Sequence, residues 1–91
     1  MAEFIMIMKG TKSTGDWESY INKLVETGQF RGGSALGKGL CVSKTGPQKP
    51  CTVTGYIRFE ADSMEQVRAL VEGNPVYESG GEIEILEMIE S

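Results

Sequence analysis

The sequence predicts an α+β domain whose elements run β-α-β-β-α-β, four strands in one antiparallel sheet with two helices on one face. Three observations predict it. Residues 3–10, 51–61 and 81–90 are β-prone, with apolar side chains alternating or running continuously. Residues 13–29 and 62–75 instead carry apolar side chains at helical spacing. Glycine and proline gather between these stretches, at Gly28, at 46–50 and at 73–75. Ninety-one residues suit one domain spanning 1–91, small enough that a partner subunit would help bury its core.

The first strand, "EFIMIMKG", is apolar on both alternating sets: Phe4, Met6 and Met8 on one, Ile5 and Ile7 on the other. A strand apolar on both faces is covered on both sides. Ser13 and Asp16 then resemble a capping box, and Trp17, Ile21, Leu24 and Val25 form the apolar stripe of a helix that Gly28 ends. "FRGGSALGKGLCVSK" has the glycines of a bent or bulged strand, and "TGPQKP" is a turn. "CTVTGYIRFEA" alternates cleanly, with Val53, Gly55, Ile57 and Phe59 on one face and Thr54, Tyr56 and Arg58 on the other. The second helix opens on Ser63 with Gln66, carries Met64, Val67, Leu70 and Val71 as its stripe, and closes at Gly73 and Pro75, with Asn74 and Tyr77 in the turn that follows. The last strand sets Ile83 and Ile85 on one side and Leu86 and Met88 on the other. This order most economically makes a ferredoxin-like split βαβ domain.

Gly32 to Lys38 reads G-x-x-x-x-G-K, most of a phosphate-binding loop. Such a loop needs a strand before it and a helix after it, so that backbone amides and a helix N-terminus converge on phosphate. Here a helix precedes, a β-prone segment follows, and Gly39 stands where the magnesium-binding hydroxyl belongs. The stretch is a glycine-rich strand and loop.

Charge is uneven. Residues 1–59 hold eight Lys/Arg and four Asp/Glu, a balance of +4, while residues 60–91 hold one Arg and nine acids, a balance of −8. An acidic whole argues against nucleic acid as a partner, although the element order suits an RNA-binding sheet. The longest apolar run, "FIMIM", is too short to span a membrane, so the expected location is cytoplasmic. Cys41 and Cys51 are the only cysteines. A hairpin centred near Gly46 sets them opposite each other, at the reach of a disulfide, while a cytoplasmic chain keeps both reduced. With no histidine and no cysteine cluster, neither a metal site nor a cofactor is expected.

The face of the sheet away from the helices is too apolar to stand in water, which marks it as an interface. Two such sheets packed together make a homodimer with an interior cavity, a dimeric α+β barrel. The residues expected around a ligand there are Arg58 for charge, Tyr56 and Thr54 for hydrogen bonds, Met6 and Met8 as an adaptable apolar wall, and Ser34 and Lys38 from the glycine-rich segment.

The stretch from Gly46 to Met88 resembles the second half of the YCII-related, or DGPF-domain, family. The likeness rests on the Gly46–Pro47 turn, the Gly55–Tyr56 strand, Asp62–Ser63 at a helix start, Pro75 after it, and Gly80-Gly81-Glu82-Ile83-Glu84 opening the last strand. "FIMIMKG" and "GQFRGGSAL" agree more loosely, so that the resemblance covers nearly the whole chain. It implies the ferredoxin-like fold and the dimeric α+β barrel. Thr45 and Gln48 depart from the DGPF signature, and the His–Asp pair proposed for some members has no counterpart, since the chain has no histidine. Acid–base chemistry would then rest on Tyr56, Lys38, Cys41 or Glu84. The expectation is accordingly a binding domain for a small anionic or phenolic metabolite. The alternatives are a weak lyase, isomerase or hydrolase acting on a small organic acid, and a protein–protein interaction module.

Overall fold

A computed structural model describes residues 2–10 and 15–89. The chain runs β1 (Ala2–Lys9), α1 (Trp17–Glu26), β2 (Phe30–Ala35), β3 (Leu40–Cys41), β4 (Lys49–Pro50), β5 (Val53–Ala61), α2 (Met64–Ala69), α3 (Pro75–Glu78) and β6 (Glu82–Met88). Four strands form one antiparallel sheet in the order β2-β5-β1-β6, and β3 pairs with β4 as a separate two-stranded ribbon. The architecture is α+β, as the alternating periods predict. None of the described helices is long and apolar enough to cross a membrane.

Register decides which apolar set of β1 lies under the helices. Phe4, Met6 and Met8 stand opposite Phe59, Ile57 and Gly55 of β5, and Met6 and Met8 stand opposite Ile85 and Ile83 of β6. Facing residues of an antiparallel pair point the same way, so these side chains form one layer. Tyr20, Leu24, Val67, Leu70, Val71 and Val76 close over it, and Phe4, Met6, Met8, Ile57 and Phe59 are all buried. This corrects the expectation that Met6 and Met8 wall the open face: Ile5 and Ile7 take that place, half-buried.

Each helix departs from its reading both at its cap and along its stripe. Asp16 is the N-cap of α1, its carboxylate accepting from the Ser19 backbone N–H at 3.0 Å and from the Ser19 hydroxyl at 2.7 Å. Ser13, the expected partner, lies outside the described residues. Around the helix the apolar face runs Tyr20, Leu24, Trp17, Ile21, Val25, and the core contact is centred on Tyr20 and Leu24. Val25, at the far flank, is therefore 55% exposed rather than core. Ser63 caps α2 by accepting from the Gln66 N–H, but the Gln66 side chain accepts from Asp62 N–H instead of returning to Ser63. Met64, at the exposed start of α2, leaves the stripe.

Asn74 and Tyr77 do not form a simple turn. Asn74 caps the extra helix α3, its Oδ1 accepting from the Val76 and Tyr77 N–H groups, and Pro75 occupies the first helical position. Asn74 is fully buried, and its Nδ2 faces the sulfurs of Met8 at 3.4 Å and Met6 at 3.7 Å.

In β2 the predicted bulge falls between Phe30 and Gly33, with Gly32 at a positive φ of 102°. Beyond the main sheet, Leu36 N–H bonds Thr54 O and Cys51 N–H bonds Gly39 O, so the β2–β5 hairpin continues into β3 and β4. Cys41 stands opposite Lys49 there, and Cys51 opposite Gly39. The hairpin turns one residue earlier than expected, so the cysteines sit diagonally, and both are free, exposed thiols.

Candidate functional site

Three small residues leave a gap between the sheet and α1. By register, Phe30, Gly33 and Ala35 of β2 point to the helix side opposite Phe59, Ile57 and Gly55 of β5. At Gly33, Ala35 and Gly55 there is almost no side chain to meet the helix above. At Gly33 none would fit, because a Cβ there would overlap the Tyr56 carbonyl oxygen of the neighbouring strand. Glycine lets the two backbones approach, and it also removes the layer of atoms that would otherwise fill the floor.

The result is a cavity of about 560 Å³. Phe30, Gly33, Ala35, Gly55 and Ile57 form its floor, Trp17 and Ile21 of α1 its roof, and Met8 and Val76 its inner wall. Leu36 stands at the mouth, 44% exposed. Size and lining match those of a small-molecule pocket: mainly apolar walls with a few polar groups. Among the described residues no charged side chain lines it. The flank of α1 that packs loosely is the flank that faces this space, which accounts for Trp17 and Ile21 being half-buried.

The residues expected around a ligand divide between three places. Thr54, Tyr56 and Ser34 border the cavity, but Ser34 stands opposite Tyr56 on the side of the strands away from the helices. Alternation therefore turns these side chains toward the open face and leaves backbone at the cavity floor. Thr54 Oγ1 donates to Met8 O at 3.3 Å and Ser34 Oγ to Ala35 O at 2.8 Å. Met8 lines the cavity, whereas Met6 is sealed in the core behind it. Lys38 is exposed in the segment leading to β3.

Arg58 is on the open face, opposite Ile5, and reaches diagonally to Glu3, Nη2 to Oε1 at 3.1 Å. Its Nε is shielded from solvent and has no hydrogen-bond partner among the described residues. Glu84, a candidate acid, pairs with Lys9 at 3.5 Å, and Arg31 pairs with Glu60 at 3.2 Å. The open face is thus a band of ion pairs around Ile5, Ile7, Leu86 and Met88, with Leu86 48% exposed. Each pair is worth little in water, but together they balance the charge of the face and leave its apolar centre as the surface that seeks cover.

Trp17, expected as core of the α1 stripe, lines the cavity instead, and Ile21, Phe30, Gly33, Ala35, Leu36, Gly55, Ile57 and Val76 line it without having been expected around a ligand. Gly33 and Gly55 were the available signal: two glycines facing the same side of adjacent strands, beneath a helix that carries a tryptophan. Comparison with protein-family models, with curated proteins and with solved structures finds no match.

Proposed function

We propose that this chain is a small-molecule-binding domain of the YCII-like, ferredoxin-like type, pairing through the open face of its sheet into a dimeric α+β barrel. The observation that carries the reading is the 560 Å³ cavity between α1 and the β2–β5 strands, floored by Gly33, Ala35 and Gly55. Its uncharged, aromatic-roofed lining favours a flat, mainly apolar ligand such as a phenol over a strongly anionic one. Arg58, committed to Glu3 on the other side of the sheet, is not available to it. Catalysis has little support at this site, because among the described residues Tyr56 is the only titratable one that borders it and its side chain points away.

Trp17 is the only tryptophan of the chain and lines the cavity roof, so its fluorescence reports occupancy directly. Titration with small phenols and with an anilinonaphthalene dye should change its intensity saturably. Ala35→Leu, which fills the floor, should abolish that change while Arg58→Ala leaves it intact. Saturable binding lost in Arg58→Ala and kept in Ala35→Leu would move the site to the open face. A second reading, an interaction module, is favoured by the exposure of Leu86 and Met88.

A further inference from the structure

The β3–β4 ribbon is ordered and buries nothing. Residues 33–52 form an unbroken run of twenty exposed residues. Two bridging pairs and the flanking Leu36–Thr54 and Gly39–Cys51 hydrogen bonds hold its shape. It nonetheless shows Leu40 at 66% and Val42 at 68% exposure. A two-stranded ribbon is marginal in water unless an apolar face is covered. Its charge is one-sided: Lys38, Lys44 and Lys49 with no acid, or +3.

The complement lies at the opposite edge of the same sheet. β6 carries Glu82, Glu84 and Glu87 with no base; Glu84 pairs with Lys9 of β1, while Glu82 and Glu87 make no ion pair among the described residues, and the strand exposes Leu86, Met88 and, just beyond it, Ile89. It is an edge strand, bonded to β1 alone, with its outer backbone groups unpaired by the sheet. The ribbon springs from β2 and β5, and three strand spacings of about 4.8 Å separate β2 from β6.

From this complementarity we infer that the ribbon of one copy docks along β6 of a second copy, and reciprocally, so that paired arms clamp the dimer. The inference rests on the dimer of the proposed function and specifies what holds it. Leu40 and Val42 cover Leu86 and Met88, the lysines meet the β6 glutamates, and the open edge is closed. Opposite charges at this range steer association and set register, and their effect falls as salt rises.

Charge exchange tests it. A Lys38→Glu/Lys44→Glu/Lys49→Glu variant and a Glu82→Lys/Glu87→Lys variant should each elute as monomers near 9.9 kDa at concentrations where the natural chain runs at twice that mass. Mixed together they should recover a heterodimer, because both arm contacts are again opposite in sign. Carbodiimide coupling of mixed light- and heavy-isotope chains should yield inter-chain bonds from the ribbon lysines to β6 glutamates. The arm contact is overturned if either variant stays dimeric, if the mixture stays monomeric, or if no such bonds form. A natural chain that is monomeric throughout overturns both the arm contact and the dimer. The cavity reading fails separately, through Trp17 fluorescence.

Discussion

The Tyr20 hydroxyl donates to the Leu70 carbonyl oxygen at 2.7 Å, tying the middle of α1 to the residue that ends α2. Both residues are buried, and no sequence pattern connects them. Removing the hydroxyl leaves a buried carbonyl without that donor and the fold without its direct link between the two helices. Tyr20→Phe should lower the unfolding free energy by about 1–2 kcal/mol, measured by urea denaturation, with the slope unchanged.

The same residue gives a pH signature. Burial holds the Tyr20 hydroxyl above the ordinary tyrosine value of 10.0. The unfolded chain therefore loses this proton first, and the folded state retains it. Tyr20 stabilises fully below pH 10, and that contribution drains away as pH rises through its folded value. Alkaline titration of stability should fall more steeply in the natural chain than in Tyr20→Phe, and equal slopes would contradict the assignment.

At the acid end the logic reverses. The Ser19 N–H and hydroxyl at the Asp16 carboxylate hold it below its ordinary value of 3.8. The cap contributes above that value and is lost as pH falls through the lower folded one. Asp16→Ala should lower the thermal midpoint at pH 7 and erase part of the difference between pH 7 and pH 3.

Asn74 joins α3 to the methionines of β1. Asn74→Ala would strip the cap from the Val76 and Tyr77 N–H groups and open a space beside Met6 and Met8, at a cost of about 2–3 kcal/mol. Asn74→Asp preserves the capping oxygen but loses the Nδ2 donors. Its stability, read by denaturation, should fall between the natural chain and alanine at acid pH and approach alanine at neutral pH, where the buried carboxylate ionises.

Gly33→Ala should be among the most damaging single-methyl changes, because backbone rather than a movable side chain occupies the space. Gly28→Ala is the milder comparison: nothing lies near a Cβ there, and only its φ of 74° opposes substitution, at about 1 kcal/mol. Far-ultraviolet dichroism and melting of the two variants would check the order.

Much of this molecule was legible in its residues alone. Local periodicity assigns the sides of β5, the split of β6 into Ile83/Ile85 and Leu86/Met88, and the glycine bulge in β2, because each is a property of one segment and its own spacing. The two faces of β1 were beyond such reading. Both sets are apolar, and only pairing with β5 and β6 decided that Phe4, Met6 and Met8 go beneath the helices. Val25 looked like core for the same reason: a helix knows its stripe but not the angle at which it docks, and here the Tyr20–Leu70 bond accompanies a core centred on Tyr20 and Leu24. The cavity is the fullest case. Its residues come from β1, α1, β2, β5 and α3, and what makes it is the lack of side chains at Gly33, Ala35 and Gly55 meeting beneath Trp17. A gap between elements has no sequence period, so the tertiary structure alone could put those atoms, and that empty volume, together.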